Sequence, residues 1–392
     1  MPATPIRVLH SVSTYLNLSE NWIYPQIIRV PAVQSRVLCS SATNLNDFPI
    51  AGGPIVNPPT WEAWFGIPRT VNALSRRLGL GGSALRMRIR RWRPATIHAH
   101  FGMRGFECLD LKESLDIPLV TSFYGYDAWM LPQTDPVWLS RYERLFAEGD
   151  AFLVEGPAMC KRLIDLGCPR EKIRIHRIGV DLEALPFEPS PISSQLQIVM
   201  VGRFVEKKGF VDGLRACLAA RLRGVDLKVT VIGDHGVNDR AGCQIKESLF
   251  KLASETGLSG RVAFTGFLSM GKTRETVREH QILLCPSKHA VNGDAEGGSP
   301  VVLTEALAQG LICIGTQHCD IPEVIVNGET GYLCEEGDIS GMTEVLCTLA
   351  QRPGHAMSLV RQGRKHIETY FSLTTQLQKL GQIYSSLIGE AA

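Results

Sequence analysis

Short apolar runs alternate along this chain with longer amphipathic segments, and that rhythm limits the possible folds more than any other feature. Ile6–His10, Ser35–Cys39, Thr96–His100, Leu119–Phe123 and Ala151–Glu155 read as buried strands in the first half. Gln197–Gly202, Lys228–Gly233, Val262–Thr265, Ile282–Pro286 and Ile312–Gly315 repeat the pattern in the second. Helical patterns such as Phe210–Leu222 and Cys243–Thr256 lie between them. Strand–helix alternation predicts α/β architecture, with parallel sheets covered on both faces. Leu185–Ser194 (LPFEPSPISS) is rich in proline and serine and reads as a linker. The 392 residues suffice for two domains of ordinary size, here 1–188 and 193–371. A last periodic segment, 372–390, has Ser372 as its candidate cap.

The composition is that of a globular chain, 44% hydrophobic and 20% charged. A net charge of +2 gives no global field pointing to nucleic acid. Eleven cysteines without a C-x-x-C pair predict reduced thiols and a cytoplasmic protein. The opening stretch lacks a basic region followed by a long apolar one, so no secretory leader is expected. No run approaches the roughly 18 apolar residues of a spanning helix, so any membrane contact is expected to be peripheral.

In doubly wound sheets, ligands bind at the carboxyl ends of the strands. Those ends here carry polar or glycine-rich tails: His98–Gly102, Tyr124–Asp127, Gly202–Gly209, Gly233–Gly236 and Asp294–Pro300. Each domain is thus expected to supply one wall of a central cleft. Asp294–Gly310 (DAEGGSPVVLTEALAQG) sets Glu296 and Glu305 on either side of a glycine-rich turn that opens a helix. Ser299 suits the N-cap, Pro300 the first turn and Gly310 the stop. Gly297 and Gly298 allow close backbone approach to a ligand, and a helix start favours an anion. Gly202–Gly209 (GRFVEKKG) adds cations: Arg203 offers a planar fork for phosphate and Lys208 a point charge. Alone, it reads as a solvated basic turn; with the acidic loop in the same domain, a sugar–phosphate site is the better reading. Neither a D-x-D element nor a His/Cys cluster with ligand spacing is present, so no metal is expected.

GRFVEKKG, VIGDHG and EGGSPVVLTEALAQG together resemble the donor domain of glycosyltransferase family 4, retaining enzymes of the GT-B fold. Ser19–Gln26 (SENWIYPQ), HAHFG and SFYGYDAW resemble further elements of its polysaccharide-assembly members, of the exopolysaccharide and colanic-acid type. The resemblance covers nearly the whole chain. It implies two Rossmann-like domains facing a cleft, with segment 372–390 packing back on the first. It implies that Arg203 and Lys208 hold the donor diphosphate, that Glu305 binds the ribose and that Glu296 engages the transferred sugar. Gly233 and Asp234 then lie near the nucleotide, with Gly297, Gly298, Ser299 and Pro300 in the donor loop. The implied substrate is a nucleotide-sugar, UDP-sugar before GDP-sugar, with no cofactor. The implied acceptor is a lipid-linked or polysaccharide chain. A small-molecule acceptor, or a non-catalytic nucleotide-sugar-binding protein, are the alternatives. A dinucleotide oxidoreductase is disfavoured, because no G-x-G-x-x-G follows the first strand.

Two departures from the family pattern stand out. Eight residues separate Glu296 from Glu305 where the family has seven, and the extra one falls in the GGSP turn. The position of Glu296, rather than that of helix-borne Glu305, is what it affects. Tyr124 occupies a position where the family often has histidine; tyrosine, with a reference pKa of about 10, is a poor base near neutrality. His98 and His100 alternate onto one strand face, His98 expected in the core and His100 in the cleft, where it is a catalytic candidate. Asp127, at the next strand end, reads either as an acceptor-side residue or as a cap.

Arg76–Arg93 has seven arginines and no acid. From Ser83 it reads as a helix with Leu85, Ile89 and Trp92 on an apolar stripe and Arg86, Arg88, Arg90, Arg91 and Arg93 around it. An ordinary surface helix packs its stripe in the same way but carries mixed charges. Unopposed arginine suits an anionic membrane face or a lipid-diphosphate, at about 1 kcal/mol per basic residue near a charged bilayer. Nucleic acid is not expected, because no binding motif accompanies the arginines. Trp61, Trp64 and Phe65 are further candidates for an interface, the core or the cleft.

Overall fold

The computed structural model describes residues 5–17, 20–56, 80–255 and 258–391. The chain divides into two compact units. The first comprises Met1–Val154, Cys160–Arg177 and Thr374–Ala392; the second comprises Glu155–Met159 and Ile178–Leu373.

The first unit holds β1 (Ile6–Tyr15), β2 (Val33–Ala42), β3 (Ile55–Val56), β4 (Thr96–His100), β5 (Leu119–Ser122), β6 (Ala151–Val154) and β7 (Ile173–Ile175). They form one parallel sheet in the order β3-β2-β1-β4-β5-β6-β7. The order reverses between β1 and β4, which makes their carboxyl ends the switch point of the sheet. β1 and β2 outrun the expected apolar runs, because pairing continues through polar residues to Thr14–Ser41 and Tyr15–Ala42. The helix Leu373–Ala391 returns from the far end of the chain, burying Leu380 and Tyr384. Tyr384 Oη lies 2.7 Å from His98 Nδ1, and Gln376 O lies 3.1 Å from His176 Nε2.

The second unit holds β8 (Leu196–Val201), β9 (Leu227–Ile232), β10 (Val262–Gly266), β11 (Ile282–Leu284), β12 (Ile312–Thr316) and β13 (Tyr332–Cys334). They form a parallel sheet ordered β10-β9-β8-β11-β12-β13. Alternate residues feed opposite cores: Ile198 and Met200 enter one cluster, Val199 the other. β12 divides likewise, with Ile312 and Ile314 on one side and Cys313 on the other. Two-sided burial is why these strands read as unbroken apolar runs. The switch point here falls between β8 and β11.

The three strands that the sequence did not announce, β3, β7 and β13, are all sheet edges of two or three residues. All eleven cysteines are free. Among the described residues, no helix is long and apolar enough to cross a membrane.

Candidate functional site

The switch point of the second sheet explains how residues about 90 apart in sequence meet. β8 and β11 are neighbours, so the loops leaving their carboxyl ends share one space. Lys208 follows β8, and its Nζ lies 2.8 and 3.0 Å from the two oxygens of Glu296, which follows β11. Gly209 permits the close approach: its φ is +62°, and a Cβ there would sit 1.8 Å from the Pro286 carbonyl oxygen. Gly233 does the same after β9, with φ +128° and a Cβ position 1.9 Å from Gly202 O.

Glu296 is fixed from three sides. Lys208 holds its carboxylate, Ser287 Oγ donates to Oε1 at 2.7 Å, and its backbone N–H donates to His318 Nε2 at 3.1 Å. Burial opposes its charge, but Lys208 and Lys207 outweigh burial and hold the carboxyl below its usual range. The lengthened turn therefore leaves Glu296 packed against the basic loop. Burial lowers the His318 pKa more than Glu336 raises it, so the ring is neutral and offers a lone pair.

Three further residues, with Ser287, complete this framework. Lys207 is buried and binds Asp294 Oδ1 at 3.0 Å and Ala295 O at 2.9 Å. It pins the acidic loop while Lys208 faces the glutamate. Arg274 Nε donates to Glu305 Oε1 at 3.0 Å. His318 lies just past β12, a strand end whose polar tail the same strand-end rule could have flagged. Arg203 is exposed and, among the described residues, makes no ion pair. Asp234 is tied to Lys246 Nζ at 2.7 Å and accepts from the His235 N–H at 2.8 Å.

Several expectations are corrected. The helix after the turn is Val301–Gln309, with Pro300 at the N-cap position and no side-chain cap, so Ser299 lies outside it. Gly310 does end it, with φ +99°. At Gly298 a Cβ would lie 2.2 Å from the Glu155 carboxylate, so the backbone there lies close to that side chain.

In the first unit, His100 is fully buried like His98, not open to solvent. Its Nδ1 lies 2.8 Å from Tyr124 Oη and its Nε2 3.1 Å from His10 Nδ1. Tyr124 is half-buried, with Trp22 edge-on at 5.9 Å. His98 spends both nitrogens, on Tyr384 and on Ser122 Oγ at 2.8 Å. Burial drives His10 down to about 3 and His98 and His100 well below their usual value. Asp127 is a buried cap, not an acceptor contact: it accepts from the N–H groups of Gly102, Tyr124 and Gly125 at 2.8, 3.1 and 3.0 Å. Burial pushes its carboxyl up to about 6 against those donors.

The arginine helix runs Leu80–Trp92, three residues earlier than expected. Ile89 and Trp92 are buried, Leu85 is intermediate, and Arg36 lies 5.2 Å from the centre of the Trp92 ring. Arg88, Arg90, Arg91 and Arg93 are exposed, though Arg90 Nη2 donates to Ser114 O at 2.6 Å. The helix backbone includes Arg86. Trp61, Trp64 and Phe65 lie outside the described residues.

Residues 38–184 match the model of Glycosyltransferase Family 4, and residues 183–366 that of Glycosyl transferases group 1. The amylovoran biosynthesis glycosyltransferase AmsK of Erwinia amylovora is 30% identical over 291 residues, 74% of this chain and 69% of that one. The chain belongs to glycosyltransferase family 4. Another relative, the putative colanic acid biosynthesis glycosyltransferase WcaL of Escherichia coli K12, is 29% identical over 74% of this chain and 70% of its own. As a family 4 glycosyltransferase, the chain has the GT-B fold, with two Rossmann-like parallel-sheet domains. Anabaena HepE, solved in complex with UDP, superposes with a TM-score of 0.77 at 14% identity, covering 97% of this chain and all of that one.

Proposed function

We propose that this family 4 glycosyltransferase transfers a sugar, with retention, from a nucleotide-sugar to a lipid-linked or polysaccharide acceptor in exopolysaccharide assembly. The observation that carries the reading is the meeting of Lys208 and Glu296 at the switch point of the second sheet. A donor diphosphate placed there gains Lys208 and exposed Arg203, and Glu296 is left facing the sugar. Glu305, held by Arg274, takes the ribose. Breaking the C1–oxygen bond sends its electron pair to the nucleoside diphosphate, whose charge grows. Lys208 and Arg203 stabilise that charge most in the transition state, and Glu296 stabilises the cationic sugar. The acceptor oxygen forms the new bond to C1 on the same face, and its proton passes to the departing phosphate oxygen. With two side-chain cations on the diphosphate, the reaction needs no metal and no cofactor. A UDP-sugar is the favoured donor, in keeping with the UDP-bound neighbour. AmsK and WcaL, named for amylovoran and colanic acid, support the acceptor class.

The exposed arginines beside Trp92 favour work on the inner face of the plasma membrane, with the chain peripheral and cytoplasmic. A thermal-shift panel of UDP, GDP, ADP and their sugars tests the donor, since a bound ligand raises apparent stability by mass action. UDP and a UDP-sugar are expected to give the largest shifts. If none shifts the transition, or donors bind but none is consumed with any acceptor, the catalytic reading fails.

A further inference from the structure

Behind Glu296 lies a second group of side chains that the transfer reaction does not use in full. Past β12 the chain reaches His318, fully buried, and Cys319, whose φ of +46° is unusual for a residue other than glycine. His318 Nδ1 lies 2.7 Å from Glu336 Oε1, and His289 Nδ1 lies 2.8 Å from the same oxygen. The His289 N–H also donates to Glu336 Oε2 at 2.8 Å, so this carboxylate is well anchored. An ionised carboxylate only accepts, so each ring presents Nδ1–H to it and keeps its lone pair on Nε2. Cys319 Sγ lies 3.3 Å from His318 Nε2. The rings are nearly perpendicular with centroids 4.7 Å apart, and one ligand atom from each of His289, His318 and Cys319 lies within 4.8 Å of the others. His10, His98 and His100 are equally close, but His98 has both nitrogens committed to hydroxyls. His289 is half-exposed, which gives an ion a way in.

We propose that His289, His318 and Cys319 bind a zinc ion, with Glu336 as the outer carboxylate that orients both imidazoles. Two imidazole nitrogens and a sulfur, with a carboxylate behind the rings and water as fourth ligand, form the donor set of a tetrahedral zinc site. Two zinc–nitrogen bonds and one zinc–sulfur bond form, the thiol proton leaves to solvent, and no electron is transferred. The His318 lone pair that takes the metal is the one that accepts the Glu296 N–H. Zinc and the glutamate backbone therefore compete for one nitrogen, and an occupied site loosens Glu296. Zinc is thus an inhibitor; this consequence rests on the transferase reading, whereas binding does not. The sequence hides the site because its ligands come from two strand ends about 30 residues apart, without ligand spacing.

Titrating the full chain with Co2+ tests binding directly. The expected result is a thiolate-to-cobalt charge-transfer band that saturates at one Co2+ per chain and is bleached by one equivalent of Zn2+. Cys319→Ser should abolish the band, and Glu336→Gln should weaken zinc by roughly 10–100-fold. A wild-type protein without the band, or a band that survives Cys319→Ser, overturns the site. In turnover, His289→Gln should keep zinc-free activity and lose zinc inhibition; inhibition equal to wild type overturns the competition. A protein with no turnover on any donor would sink the transferase reading, and the cobalt spectrum would still decide the site.

Discussion

At the scale of single residues, two adjacent lysines divide the labour. Lys208 meets Glu296, whereas Lys207 is turned inward onto Asp294 and the Ala295 carbonyl. In GRFVEKKG they are alike, and only their position beside the acidic loop separates them. Lys208→Ala is expected to lower turnover by roughly 10²–10³-fold, the cost of one preorganised electrostatic donor, and also to cost stability, because it strands the buried Glu296 carboxylate. Lys207→Ala should cost up to about 3 kcal/mol, because it strands a part-buried Asp294, with a smaller loss of turnover. Urea unfolding beside steady-state rates separates the two; equal losses of turnover would dissolve the division. Glu305→Ala is expected to weaken UDP by roughly 10–100-fold, the worth of a charge-assisted hydrogen bond, as read by calorimetry. The motif glutamates and Lys208 were legible because their chemistry is local in the sequence. Arg274, Ser287 and His318 were not, because each acts on a motif residue through space.

At the scale of elements, the strand ends carry the most information. Central strands are buried on both faces and announce themselves as apolar runs; the edges β3, β7 and β13 lack that signal. The first sheet also buries imidazoles at adjoining positions, His10 pairing in register with His98. His10 falls to about 3 and His176 to about 4, with His98 and His100 also depressed, all chiefly through burial. A depressed imidazole binds its proton more readily in the unfolded chain. Its contribution is present above the unfolded pKa of about 6.5 and is lost as pH falls toward the folded value, by about 1.4 kcal/mol per pH unit for each group. Asp127, raised to about 6, acts in the opposite sense below that pH and offsets one of the four. The urea midpoint is therefore expected to fall between pH 7.0 and 5.5; a flat profile would mean that these rings are not buried neutral.

The arginine helix makes its own prediction. Ile89 and Trp92 anchor it to the protein and leave its arginines exposed, the arrangement that the proposed contact with an anionic surface requires. Wild-type protein should sediment with anionic vesicles at moderate salt, and Arg88→Ser with Arg91→Ser should release it while preserving the fold. Absence of protein from the vesicle pellet would remove the membrane from the proposal.

At the scale of the molecule, every residue assigned to the donor lies in the second unit: Arg203, Lys208, Glu296 and Glu305. At 100 times its dissociation constant, UDP should add about 2.7 kcal/mol to the stability of the state that binds it. Hydrogen exchange should show the protection centred on 202–209 and 294–309; protection centred instead on Tyr124 and its neighbours would move the nucleotide to the first sheet. Two doubly wound units followed from the strand–helix rhythm. That Cys160–Arg177 belongs with the first unit and Glu155–Met159 with the second did not, because such crossings depend on which strands pair.

The first unit is also assembled out of order in time. His98 is buried against the hydroxyl of Tyr384, on a helix that leaves the ribosome roughly 200 residues after β7, some 10–40 s later at ordinary synthesis rates. Until then the first sheet lacks the cover of Leu380 and Tyr384. A chain truncated just before Thr374 and released should therefore carry a native second unit and an incomplete first one, so that a sheet made early waits for a helix made late.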